Sequence, residues 1–180
     1  MSSIVISGDS SGSITLASPS VAGTNTITLP ASTGTVLTTG SPQSGGVIQV
    51  VQGLSTTYTT TTSTSYVTTT VTANITPKFS TSKILIMACL NGVYNTNTGN
   101  SGATVAIFKN GSSLSLLMVN GAYIQDTHQQ FAVLSGNYLD SPATTSSITY
   151  AIYFKQSYSG TVICQNSNEQ SSITLMEIAA

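Results

Sequence analysis

The chain has 180 residues, with four lysines, no arginine, five acidic residues and one histidine, for a formal net charge of −1. Charged residues make up 5% of it, against about 25% in an ordinary soluble domain, so the solubilising surface must be built from Ser, Thr, Asn and Gln. Four scattered lysines form no basic patch for nucleic-acid phosphates. The longest apolar run, Ile84 to Leu90, is far short of the roughly 20 residues of a membrane helix, so neither nucleic acid nor membrane insertion is expected.

Hydrophobic residues are 39% of the chain and fall in β-branched and aromatic runs. The helix formers Glu, Lys and Arg are nearly missing, which predicts an all-β protein with very little helix. The N-terminus, MSSIVISGD, has no basic region before its short apolar run, so no signal peptide is expected.

Residues 1–40 read as a β-meander arm. Ile4-Val5-Ile6, Ile14-Thr15-Leu16, Ile27-Thr28-Leu29 and Val36-Leu37 are short β-like pieces bounded by Gly, Pro, Ser and Asn, and SGSITL and GTNTITL are near copies. Each piece holds only two or three large apolar side chains. Alone it cannot bury enough surface to offset its ordering entropy, so the arm is expected to need neighbouring chains or a docking surface. Residues 41–46, SPQSGG, read as a linker.

Residues 47–180 read as a jelly-roll-like antiparallel β-sandwich. VIQVVQ begins it, and the Thr/Ser run from Leu54 to Thr76 reads as two strands carried by β-branched Thr. Lys83 leads into ILIMACL, apolar on both faces, the pattern of a central strand covered on both sides. NGVYNTNTGNSG, residues 91–102, reads as an exposed tip. Ala103 to Phe108 and Leu114 to Val119 flank Lys109-Asn110-Gly111-Ser112, where Asn-Gly supplies the positive φ angles of a tight hairpin turn. Strands are expected again at Phe131 to Leu134, Ser146 to Lys155, Thr161 to Gln165 and Ile173 to Ile178. In the second of these segments Ile148, Tyr150, Ile152 and Phe154 alternate with Thr149, Ala151, Tyr153 and Lys155, so one apolar row faces a core. About nine strands at this spacing without helices define a sandwich; an immunoglobulin-like one is the alternative, although there is no Trp to mark its core.

The inventory for chemistry is thin, and no catalytic, cofactor or metal site is expected. His128 is the single histidine, which excludes a multi-histidine metal site within one chain. It lies two residues from Asp126, but no G-x-S-x-G elbow accompanies it. The acidic residues Asp9, Asp126, Asp140, Glu169 and Glu177 are far apart, with no D-x-D cluster for calcium. Asp140 reads as the cap of the Asp140-Ser141-Pro142 turn, its carboxylate accepting backbone N–H groups. Cys89 and Cys164 each lie in a strand-like run and read as free buried thiols. Tyr94, Asn95, Asn97 and Tyr123 fall in or near the expected tips, where amphipathic rings and amides suit contact with a protein or a glycan.

Three stretches together resemble a group of bacteriophage virion proteins, often labelled tail-fibre-like, frequent in phages of aquatic bacteria. They are SGSITLASPSVAGTNTITLPASTGTVLTTG, ITPKFSTSKILIMACL, and LDSPATTSSITYAIYF with the closing SSITLMEIAA. The resemblance implies an exposed, homotrimeric, non-enzymatic β-protein of the virion, and it carries over no site residues. Within that reading a trimeric capsid decoration protein is expected, with residues 1–40 docking on other virion proteins. A short tail fibre or fibre tip is the alternative, and a carbohydrate-binding module that meets host surface glycan is a third.

Overall fold

The computed structural model describes residues 3–21, 23–26, 28, 31, 33–34, 38, 40, 42–96, 99–125 and 130–180. The chain divides into two compact units, Met1–Val36 and Leu37–Ala180. In the first, β1 (Ser3–Ser7) and β2 (Ser13–Ala17) form an antiparallel hairpin in which Ile4 faces Leu16 and Ile6 faces Ile14. The four side chains share one face, and each remains more than half exposed. Ile27, Leu29, Val36 and Leu37 lie outside the described residues.

Among its described residues the second unit contains ten strands: β3 (Val47–Ser55), β4 (Thr59–Thr61), β5 (Val67–Ile75), β6 (Lys83–Asn95), β7 (Ser101–Lys109), β8 (Ser112–Ile124), β9 (Phe131–Asp140), β10 (Ile148–Gln156), β11 (Val162–Cys164) and β12 (Ser171–Ile178). All pairings are antiparallel. Leaving aside the short β4 and β11, the eight long strands pair in a nested way, first with last and fourth with fifth: β3 with β12, β5 with β10, β6 with β9 and β7 with β8. Folding that long double ribbon over itself gives one sheet ordered β3-β12-β6-β9 and a second ordered β5-β10-β7-β8. This strand order is an eight-stranded jelly roll. β11 continues the first sheet on the edge of β6 beyond β12, and β4 pairs with β11.

The core lies between the sheets. The inward row of β10, Ile148, Tyr150, Ile152 and Phe154, is wholly buried, packed with Ile75 of β5, Ile84, Ile86 and Leu90 of β6, Ile107 of β7 and Ile173 and Leu175 of β12. Each such side chain contributes about 1.5–3 kcal/mol of transfer free energy. The β7–β8 hairpin turns at Asn110 and Gly111, with φ of 48° and 81°, the paired positive angles that the Asn-Gly dipeptide favours. At the margin where β3 meets β5 the sheets come so close that a Cβ on Gly53 would lie 1.9 Å from the Thr72 carbonyl oxygen, so only glycine fits.

Three expectations are corrected. In the 91–102 segment residues 91–95 and 101–102 are strand, with β6 running to Asn95 and β7 starting at Ser101, while Gly99 and Asn100 lie between the strands. In the 41–46 segment Gly45 and Gly46 bond to Ala179 of the sandwich, through Gly45 N–H to Ala179 O (2.8 Å) and Ala179 N–H to Gly46 O (2.9 Å). Finally, β6 is central in its sheet but covered on one side only. Ile84, Ile86, Ala88 and Leu90 are buried against the second sheet, whereas Leu85, Met87 and Cys89 point outward and keep part of their surface open.

Candidate functional site

In this topology the turns at 76–82, 110–111 and 141–147 lie at the end of the sandwich where the chain enters β3. The connections 56–66 and 157–170 lie at the opposite end, with the last residues of β6 and β8 and the first of β7 and β9. Of the residues expected to form a surface site, Tyr94, Asn95 and Tyr123 belong to the second end, and they do not form one cluster. Tyr94 stacks on Phe131 with ring centroids 4.7 Å apart and planes 13° from parallel; their Cα atoms are cross-strand partners on β6 and β9. Asn95 is corrected as a contact residue: it is fully buried, and its Nδ2 donates to the Ala122 carbonyl. Alternation explains this, because Tyr94 faces outward and its neighbour must face the core. Asn97 lies outside the described residues, as do Asp126 and His128.

Tyr123 belongs to a second group. Its hydroxyl donates to Asn100 Oδ1 (3.2 Å), and its ring sits 5.6 Å from that of Tyr158, which accepts a hydrogen bond from Asn120 Nδ2 (3.0 Å). Tyr158 and Phe131 are each half exposed or more. Sequence reasoning missed both as contact residues, because Phe131 looked like an ordinary strand residue and Tyr158 acquires its partners only through the fold. Two tilted rings flanked by carboxamides form a neutral, amphipathic surface that can stack on a sugar ring and hydrogen-bond its hydroxyls.

At the other end the most concentrated electrostatics lie between the sheets. Asp140, last residue of β9, pairs through Oδ2 with Lys109 Nζ of β7 (2.7 Å) and accepts a hydrogen bond from Tyr150 Oη of β10 (2.6 Å). Asp140 is therefore an inter-sheet link rather than the turn cap that the following Ser-Pro implies. Burial, and then the hydrogen bond to and negative charge of Asp140, push the Tyr150 phenol well above its ordinary range. The phenol thus stays a neutral donor and is no general base.

Glu177 of β12 is also fully buried. It accepts from Gln49 Nε2 (2.6 Å) and from the backbone N–H groups of Lys78 (2.7 Å) and Phe79 (3.3 Å), pinning the 76–82 turn to the sheet. Burial opposes its ionisation, but these donors outweigh burial and hold the carboxyl below its usual value of 4.5. Cys89 and Cys164 are free thiols; Cys164 is buried, which pushes its pKa up, away from nucleophilic use. Among the described residues no group of three or more His, Cys, Asp and Glu is placed to hold a metal ion. No helix of the described residues is long and apolar enough to cross a membrane.

No protein-family model matches the chain, and no curated protein is similar to it. Among solved structures it is similar to structures of infectious bursal disease virus. The VP2 subviral particle aligns at TM-score 0.47 and 13% identity over 73% of this chain and 32% of that one. The Gx strain structure aligns at TM-score 0.44 and 14% identity over 97% and 40%, and the T13 viral particle at TM-score 0.41 and 13% identity over 94% and 42%. The chain thus spans less than half the length of each. The class defined here, an all-β jelly-roll sandwich preceded by a β-hairpin unit, rests on the strand pairing itself.

Proposed function

We propose that the chain is a non-enzymatic structural protein of a bacteriophage particle, exposed at the particle surface: a homotrimeric capsid decoration protein docked through residues 1–40. The observation that carries this reading is the β1–β2 hairpin, whose aliphatic face of Ile4, Ile6, Ile14 and Leu16 is uncharged and keeps each of its four side chains more than half exposed. A two-stranded hairpin is at best marginally stable alone, so one that keeps four large aliphatics on one face is suited to docking. The jelly roll is an architecture of viral capsid and lectin domains, and the resemblance of three stretches to phage virion proteins points the same way. The buried oxygen acids Asp140, Tyr150 and Glu177 are engaged in holding elements together.

The test is to locate the chain in purified particles separated into heads and tails. A position on heads is expected; presence on tails alone would transfer the protein to the fibre class, and absence from both would sink the virion reading. A second reading, a fibre tip or module that binds neutral host glycan, is favoured by the Tyr123, Tyr158, Asn100 and Asn120 group at the end opposite the point where the chain enters the sandwich. Glycan-array binding lost in Tyr158→Ala would support it, and an array without signal would remove it.

A further inference from the structure

The two outer faces of the sandwich differ. On the β5-β10-β7-β8 sheet the outward side chains of β5 are Thr68, Thr70, Thr72 and Asn74. The aromatics beside them cover one another: Phe108 stacks on Tyr153 at 4.0 Å, and Tyr66 meets Phe108 edge-on at 5.2 Å. Its exposed aliphatics, Leu116, Met118 and Val119, are confined to the edge strand β8.

On the β3-β12-β6-β9 sheet, register instead places Val50, Met176, Leu85 and Leu139 side by side, an apolar row that crosses all four strands. Val50 and Leu139 are 54% and 48% exposed, at the two ends of the row. The next row, Gln52, Thr174, Met87 and Asn137, contains no charge. A shallow depression of about 300 Å³, lined by Met87, Cys89, Ser135, Gly136, Ser172 and Thr174 among others, opens on this face.

We infer that a second copy of this chain packs on the outer face of the β3-β12-β6-β9 sheet, with the Val50-Met176-Leu85-Leu139 row at the centre of the interface. The reading of β6 in the sequence demands a cover on both sides, and one chain supplies only one. The occupant follows from chemistry and size. Interfaces between identical subunits are more apolar than those with exchangeable partners, and the two rows at the centre of this face carry no charge, Lys83 lying at its margin where β6 begins. Four strands about 4.8 Å apart and eight residues rising about 3.3 Å each give a projected face of roughly 500 Å². Side-chain relief brings its accessible area toward the ~800 Å² per partner of a standard interface. The depression beside the row gives side chains of the second copy a place to seat. This inference deepens the homotrimer reading above and rests on it only for the number of copies.

The test uses the full chain. Native mass is measured for the unaltered protein, for Val50→Lys and Leu139→Lys, and for the control Thr68→Lys on the outer face of the opposite sheet, with strand content checked by circular dichroism. The unaltered chain and the control are expected to be multimers, and both face variants to run as single folded chains. Cys89 lies on the same face between Ser172 and Ser135 and reads out burial without any substitution. It should resist maleimide in the multimer and lose that protection when dilution releases single chains, whereas buried Cys164 should stay unlabelled in both. An unaltered protein that is monomeric, face variants that keep the multimer mass, or a Cys89 equally reactive before and after dilution would each overturn the inference. A multimer held by this face yet absent from particles would break the virion reading alone.

Discussion

Two antiparallel hairpins of this chain follow the same alternation and meet opposite fates. In β1–β2, Ile4, Ile6, Ile14 and Leu16 line one face and remain 55–66% exposed. In β7–β8, the inward Ala103, Val105 and Ile107 of β7 are fully buried. Their turns differ, a five-residue loop at 8–12 against the Asn110-Gly111 pair, but burial of the apolar row in β7 comes from a second layer. β7 lies beside β10 and under β6, so its ladder hydrogen bonds and its apolar row are satisfied together. The β1–β2 hairpin is satisfied along its strands and open on its apolar face. A hairpin pattern in sequence therefore specifies local geometry, and burial has to come from what is laid across it.

The largest effect that sharpens this contrast is expected from Ile152→Asp, which places an unpaired charge in the sealed row of β10. It should cost more than about 4 kcal/mol and abolish the cooperative thermal transition of the sandwich; a variant that melts normally would show that β10 presents its other face to the core. Next is Tyr150→Phe, which removes the hydrogen bond to Asp140 while keeping the ring. A loss of about 1.5–3 kcal/mol in urea denaturation is expected, the range for bonds to charged groups, and an unchanged midpoint would deny the link a stabilising role.

Glu177→Gln is expected to cost about 1–2 kcal/mol at neutral pH. The folded carboxyl lies below its ordinary value, so its contribution is complete above the unfolded value and lost as pH falls through the folded one. The difference between the unaltered chain and Glu177→Gln should then close in acid, and a gap constant from neutral pH down to about pH 2 would contradict the assigned hydrogen bonds. The smallest effect belongs to the first hairpin. Ile6→Ser should shift sandwich melting by less than about 0.5 kcal/mol yet weaken retention on particles, and a strongly destabilised sandwich would erase the contrast between the two hairpins.

What was legible in the sequence follows the same division. The inward row of β10, the Asn110-Gly111 turn and the all-β sandwich depend on neighbours within a few residues, and the chain states them directly. The extent of β9 was hidden because Ser135, Gly136 and Asn137 imitate a turn, although all three pair in register with β6. Asp140 was misread for a related reason: Ser141-Pro142 is adjacent, while Lys109 and Tyr150 are brought to it only by the nesting of strands. Asn95 was misplaced because a polar residue in a polar stretch gives no sign that its amide will meet the Ala122 carbonyl. In β6, however, the sequence held more than a single chain displays, since its two-sided apolar run matches a covered strand better than the half-open one observed.

The nested pairing also governs how the sandwich can assemble in time. β12 lies between β3 and β6, so β3 has no neighbour in its sheet until the last strand arrives, and β6, paired with β9 along one edge, keeps most of its other edge open until then. Contacts at such sequence separation place folding among the slow all-β domains, on the order of milliseconds to seconds. During synthesis, β3 and β6 wait with open edges and apolar side chains, and the scarcity of charge that suits the finished surface leaves little to keep those edges apart. Crowded nascent chains therefore carry a risk of strand exchange that a more highly charged sequence would resist.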